Sequence, residues 1–480
     1  MVWRLGCLLL VSALVMGAGC ASYRSSSSPA VVSGECAAQF RWWRANSVRA
    51  GTFDAQDWSP PGFPYLRVDR FLASYRFSGL SREQQEHWLQ LALDRAVIAW
   101  EQEAEGQGEV VEGRVAGLVA CGRRAADRLM AEPRLWAELD SAKDVPDAYS
   151  TVARVLGLYP LVEPVIRWRA AEVMGALREQ LGREVPDGPW QFFRPGAGPA
   201  FFAAARDGGA AWPSPVLGGP DSRPDEVWTL IHRHAPRYGV ATRSRHDRPG
   251  RPGRDPGGQL HFLPEPVVYA QVAFTRWQGR VLPQLVYTIW FSARPAATVG
   301  DIYAGALDGL VWRVTLGVDG QPLVYDVMHA CGCYHQWLPV KGRLAVREGV
   351  EVNREPFWLP AFVPPSAGPP TLYLESATHH LIGVAFESVG EGAVRYRVAD
   401  YRELRGRSYA GGRLFGVDGL IQGSERSERY LLWPTGVVSA GGMRQWGHHA
   451  IAFAGRVHFD DPELLARYFV PDRGRGDTVQ

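Results

Sequence analysis

Two hydrophobic periods divide the chain near its middle. From about residue 80 to residue 181 apolar side chains recur at the three-to-four spacing that lays a stripe along a helix. Ser81 followed by Gln84 makes a capping box ahead of a first stripe, Trp88, Leu89, Ala92, Leu93, Ala96, Val97 and Trp100. A second stripe is Val115, Leu118, Val119, Ala125, Ala126, Leu129 and Met130. A third helix starts from Asp147 as its cap and carries Val152, Val155 and Leu156, and a fourth carries Val165, Ile166, Val173, Met174, Leu177 and Leu181. After His261 the period falls to two: Val268, Ala270, Val272 and Phe274 alternate with polar neighbours, as do Leu285, Tyr287, Ile289 and Phe291. The pattern predicts an α+β protein, an N-terminal helical region followed by a mostly antiparallel, β-rich C-terminal domain. The boundaries that follow are a helical domain over 35–185, an irregular linker rich in Pro, Gly and Arg over 186–260, a β-rich domain over 261–470 and a polar tail over 471–480.

One hairpin can be registered from sequence. Asp319-Gly320 between alternating runs predicts a two-residue type I′ turn, with positive φ at both positions. Counting back pairs Val318 with Gln321, Leu316 with Leu323, Val314 with Tyr325, Trp312 with Val327 and Leu310 with His329. The opposite face pairs Arg313 with Asp326, and a one-residue slip would put Arg313 among apolar side chains. His329 therefore lies on the buried face at the end of the strand away from the turn.

The residues that follow alternate chemistry-bearing side chains: His329, Cys331, Cys333 and His335, with Gly332 between the cysteines. In a continued strand the four would span roughly 20 Å, too far for one ion. A bend at Gly332 would gather them. Thiolate and imidazole favour zinc or copper, with His379-His380 and His448-His449 as further ligands. A Cys331–Cys333 disulfide and simple packing with the histidines in a polar core are the competing expectations. Cys36 and Cys121 are the other disulfide candidates.

Arg4 precedes an apolar run over 5–16 that ends in Gly17, Ala18, Gly19 and Cys20, the layout of an export signal. Residues 21–34 are rich in Ser and Ala, as in a solvated tether. No later run is long and apolar enough to span a bilayer. The 480 residues, 46% hydrophobic and 11% aromatic, suffice for sizeable cores. Lys+Arg total 52 against 50 Asp+Glu, which removes the electrostatic case for a nucleic-acid partner. Arginines gather over 237–258, an expected loop suited to anionic headgroups. The aromatics Trp190, Phe192, Phe193, Phe201, Phe202 and Trp212 either line a groove for glycan or peptide, or pin the linker to a neighbour.

No complete catalytic motif is present. Gly406-Arg407-Ser408-Tyr409-Ala410 approaches a nucleophile elbow but ends in Ala. A metal-dependent hydrolase would draw its base from Glu375, Glu425 or Glu428. Asp308, Glu425 and Arg444 are expected at a polar rim, with residues 443–449 beside it.

The Ala18-Gly19-Cys20 end resembles the lipobox of bacterial lipoproteins, with Gly17 where an aliphatic residue is usual. The resemblance implies cleavage after residue 19, a tether over 20–34 and lipidation of Cys20. Ala21, not Asp, then follows the cysteine, which implies sorting to the outer membrane, on its periplasmic face. The stretches LDGLVWRVTL, HACGCYH and MRQWGHHAIAF resemble uncharacterised proteobacterial lipoproteins, a resemblance that implies this address and no activity. An envelope protein or a glycan is the expected partner.

Overall fold

Helix α1 (Gly34–Ala50), α2 (Arg82–Ala104), α3 (Val115–Ala131) and α4 (Pro133–Ala142) close on one core containing Trp43, Trp88, Trp100, Leu118, Leu129 and Trp136. The protein is seen in a computed structural model that describes residues 32, 34–181, 185, 188–196, 215–219, 224–366, 368–387, 390 and 392–472. The expected export signal, Cys20, nearly all of the expected tether, Phe201, Phe202 and Trp212, and residues 473–480 lie outside the described residues. The capping box at α2 is formed in both directions: Gln84 N–H donates to Ser81 Oγ, and Ser81 N–H to Gln84 Oε1. Such a cap contributes about 1 kcal/mol. Cys36 and Cys121 form a disulfide that ties α1 to α3.

The two later helical predictions need correction. Ser150, not Asp147, caps the short helix Thr151–Leu156, because its Oγ accepts the Ala153 N–H. Asp147 instead accepts from Tyr149 N–H and pairs with Arg456 and His458. Val152, Val155 and Leu156 point outward, 53–67% exposed. The fourth stripe lies on α5 (Tyr159–Leu181), which leaves the helical core and packs Met174 and Leu177 on Trp358. Its Leu161, Val165 and Trp168 are exposed.

Among the described residues fourteen strands follow: β1 (Trp190–Pro195), β2 (Arg237–Ala241), β3 (Arg251–Arg254), β4 (Leu260–Leu263), β5 (Val267–Trp277), β6 (Arg280–Arg294), β7 (Gly305–Leu316), β8 (Pro322–His329), β9 (Gln336–Pro339), β10 (Leu344–Val346), β11 (Thr371–Leu374), β12 (Leu381–Ala385), β13 (Val394–Asp400) and β14 (Phe469–Pro471). Ten of them form one sheet in the order β12-β11-β2-β1-β13-β5-β6-β7-β8-β9. The protein thus combines helices with a large mixed sheet. The junctions β1–β13, β2–β11 and β5–β13 are parallel and the other six are antiparallel, so the expected majority of antiparallel pairs is present within a mixed sheet.

Two of the three parallel junctions arise because the stretch 186–260, expected to be an irregular linker, supplies β1 and β2 to the sheet. It also supplies β3 and helix α6 (Pro224–His234). Proline is confined to the ends of β1, where no ladder donor is lost, and Trp190 and Phe192 pack edge-on against Tyr373. Arg237 starts β2 and donates to Pro369 O and Thr371 Oγ1.

The predicted hairpin register holds from Leu310–His329 through Val314–Tyr325, and Arg313 lies opposite Asp326. At the turn it shifts, so that Leu316 faces Pro322. Gly317 N–H donates to Gln321 O and Gly320 N–H to Gly317 O, and only Gly320 has positive φ, +71°. This is a three-residue loop, 318–320, rather than a type I′ turn: one extra residue relieves Asp319 of a left-handed conformation that an L side chain resists. Both faces of β8 are buried. Trp312, Tyr325 and Val327 meet Trp228 and Ile231 of α6 on one face. On the other, Phe459, Leu464 and Phe469 cover the sheet. Arg313 is accordingly buried, held by two bonds to Asp326 and lying 3.7 Å from the Phe459 ring centroid.

The helical core is latched to the C-terminal part by Arg405, whose Nε donates to Asp54 Oδ2 at 2.8 Å and Nη2 to Asp57 Oδ2 at 3.3 Å.

Candidate functional site

Strand β8 ends in a second tight loop, Ala330-Cys331-Gly332, with the hydrogen-bond pattern of the first. His329 N–H donates to Cys333 O and Gly332 N–H to His329 O. Gly332 sits at φ +91°, and a Cβ there would lie 2.4 Å from Ala450 O, so this turn requires glycine twice over. Tyr334 follows with φ +60°, a conformation that interrupts the alternation before β9 begins. The bend expected at Gly332 is present, but it folds the chain back as an antiparallel neighbour rather than gathering four ligands.

His329 and His335 consequently occupy opposite faces of the sheet. His329 Nδ1 lies 3.5 Å from Asp308 Oδ1 on the α6 side, whereas His335 Nε2 is 2.8 Å from Asp326 Oδ2 on the other. The pair at 379–380 does reach His329. The His380 ring centroid is 5.0 Å from that of His329 and 4.6 Å from that of Tyr334, and His379 Nδ1 is 2.8 Å from Asp308 Oδ2 while its ring stacks on Phe291. Asp308 is thus the buried centre of a histidine cluster rather than a rim residue. Burial alone would push its carboxyl up, but His329 and His379 outweigh this and hold it well below the usual range. Asp247, given no role from sequence, accepts from three backbone N–H groups and Ser376 Oγ beside His379.

The pair at 448–449 splits. His448 Nε2 contacts Ala55 O and His449 Nε2 contacts Ala330 O, each ring being held by a carbonyl. Burial and Arg444 push His449 down to about 3. Arg444 supports the second loop from beneath, donating to Cys331 O, Val438 O and Ser439 O. Among the described residues no group of three or more His, Cys, Asp and Glu side chains is arranged to hold a metal ion. The candidate ligands named from sequence are therefore not gathered at one point: His329 meets His380, while His335 and the pair at 448–449 lie apart from them.

Cys331 and Cys333 are unbridged thiols. Cys333 N–H donates to Cys331 Sγ at 3.4 Å, and a hydrogen bond with Cys331, together with burial, holds the Cys333 thiol far above its ordinary range. Glu425 accepts from Gly423 N–H in a surface turn, Glu375 accepts from Thr378 Oγ1, and Ser408 Oγ both accepts from and donates to the backbone of Arg254. These three take no part in the site.

The thiols line a cavity of about 120 Å³ between α5 and the second loop. Ile166, Val173, Met174, Trp358 and Phe453 make its walls apolar, and exposed Arg169 stands at its rim. Its polar lining is Tyr303, Tyr334, His335, Glu355, Glu428 and the two thiols. Burial pushes Glu355 up to about 7. Burial also raises Glu428 to about 7, against the opposing pull of Arg294, Arg426 and Arg444. Glu355 Oε1 accepts the Phe453 N–H at 2.5 Å, while Oε2 is buried without a partner. His335 Nδ1 is likewise buried and unpartnered.

Glu428 was proposed from sequence as a base and does face this cavity. Glu355, Tyr303 and Trp358 were missed. Only the apolar setting of Glu355, between Pro356-Phe357-Trp358 and a distant Phe453, marks it, and half of that setting is non-local. Comparison of the chain with protein-family models, curated proteins and solved structures gives no match.

Proposed function

We propose that this is a lipid-anchored envelope lipoprotein, held at the periplasmic face of the outer membrane through Cys20, whose C-terminal part binds a small, largely apolar ligand in the cavity beside α5. The observation that carries it is the cavity's lining: apolar walls with polar groups kept neutral. The two carboxyls stay protonated to about pH 7, and the Cys333 thiol stays protonated well above its ordinary range. A water-filled polar site would leave such carboxyls ionised. The outward side of the same helix exposes Leu161, Val165 and Trp168, which suits a seat close to acyl chains.

Two measurements test this. Palmitate labelling should mark the wild-type protein and be lost in Cys20→Ala, which should leave the membrane fraction; an unlabelled wild type overturns the address. Apolar probes such as hexanol should bind the purified protein saturably, and Val173→Trp should abolish the binding by filling the cavity. Binding that survives that replacement places the ligand elsewhere.

A further inference from the structure

Resting on that cavity as an apolar ligand site, we infer that Cys331 and Cys333 form a redox dithiol, which closes to a disulfide by exchange with a small dialkyl disulfide held in the cavity. The pair is placed for closure. Only Gly332 separates the two cysteines, and in an extended strand their Cα atoms would lie about 6.6 Å apart, near the outer limit for a bridge. The turn shortens that span. His329 N–H donates to Cys333 O, Gly332 N–H donates to His329 O, and Gly332 takes φ +91°. Cys333 N–H lies 3.4 Å from Cys331 Sγ, and the two thiols hydrogen-bond. Bridging across one residue removes little freedom from the unfolded chain, whereas Cys36–Cys121 ties positions 85 apart. The short bridge is thus suited to opening and closing, and the long one to holding.

The two thiols differ in role. Cys331 Sγ accepts from the Cys333 N–H and from the Cys333 thiol, and Arg444 lies beneath with a bond to Cys331 O. Donors and a nearby cation favour the thiolate, so Cys331 is the attacking group. The same sharing keeps the proton on Cys333, which becomes the resolving thiol. Cys331 Sγ attacks one sulfur of R–S–S–R, forms a mixed disulfide and expels one thiolate. Cys333 Sγ then attacks Cys331 Sγ, closes the protein bridge and expels the second. The dithiol loses two electrons, R–S–S–R gains them, and the two thiol protons leave on the two R–SH products. Both cysteines line the cavity, whose volume of about 120 Å³ and walls of Ile166, Val173 and Met174 admit a short dialkyl disulfide and exclude a bulky charged one.

The test exposes purified lipid-free protein, with Cys331 and Cys333 reduced, to diethyl disulfide or to oxidised glutathione, and follows free thiols and mass. Diethyl disulfide is expected to remove both thiols at least about tenfold faster than oxidised glutathione, and Val173→Trp should slow that reaction about tenfold by filling the cavity. Cys333→Ser should stop at a mixed ethyl disulfide on Cys331, and Cys331→Ser should form its own about tenfold more slowly. The wild-type rates need no variant and stand even if a substitution impairs folding. Thiols that survive diethyl disulfide while hexanol still binds would overturn the dithiol and leave the cavity as a ligand site. Equal rates with the two disulfides would also overturn it, as would a folded Cys331→Ser protein that reacts as fast as Cys333→Ser. If diethyl disulfide does not react and hexanol does not bind, the cavity reading falls, and the dithiol with it.

Discussion

Strand β8 is bounded by two loops of one backbone design and opposite circumstance. Val318-Asp319-Gly320 and Ala330-Cys331-Gly332 close with the same pair of hydrogen bonds and place the same residue type in the left-handed conformation. Around the first there is solvent: Val318 is 72% exposed and a Cβ on Gly320 would meet nothing within 4 Å. Around the second there is protein: the Ala450 carbonyl, the Arg444 guanidinium below and the cavity beside Cys331. Local sequence dictates the turn, and the surroundings decide whether it is a mere connection or the wall of a site.

The comparison breaks most easily at the glycines. Gly332→Ala must bear both the left-handed φ and a backbone collision, and should cost about 4 kcal/mol in denaturant unfolding. Next in size is a pH effect confined to the buried side. Glu355 ionises near 4.5 when unfolded but near 7 when folded, so between those values the unfolded chain has already released the proton that the native one keeps. Glu355's share of the stability should therefore be fully present below about pH 4.5 and fall by about 3 kcal/mol as pH rises through about 7; Glu428 adds a like share, so Glu355→Gln should remove about half of the slope. Melting curves from pH 4.5 to 8 would show it, and an unchanged slope in the variant would count against the protonated carboxyl. On the solvent side Gly320→Ala bears the φ penalty alone, about 1 kcal/mol. Equal costs for the two glycines would erase the contrast. Smallest is Arg343→Ala, which frees Asp319 from a half-exposed bidentate pair. It should cost no more than about 0.5 kcal/mol, and less in high salt.

The hairpin was legible because its alternation of apolar and polar positions admits one register only, and Arg313 opposite Asp326 fixed it a second time. What the alternation did not show was that the face bearing Arg313 is covered, since its cover, Phe459, arrives from far along the chain. The disulfide partners could be named, because the signal and the CGC loop leave few other cysteines. Residues 186–260 misled for a related reason. Proline and glycine density speaks of loops, yet Trp190–Pro195 needs only a neighbour from residues 394–396 and another from 238–241 to become a strand. The site suffered most. HACGCYH drew attention to this loop, but residue types alone left a metal site, a disulfide and simple packing in competition, because the side-chain directions depend on two left-handed residues, Gly332 and Tyr334. The surroundings of Glu355 and His335 are set by Phe453 and Asp326, contacts that no local pattern carries.

The insertion of β1 and β2 within the sheet also bears on biosynthesis. Phe193 must wait for Val394, and Arg237 for Thr371, before either strand gains its parallel partner. A chain emerging from its N-terminus makes these two strands early and completes them only when most of its length has appeared. The antiparallel run β5 to β9 has no such delay and can form hairpin by hairpin. Until β11 and β13 arrive, the early strands carry unpaired edges, the form most open to wrong partners. A holding factor that masks such edges during synthesis should raise the yield of folded protein more than one that speeds the hairpins.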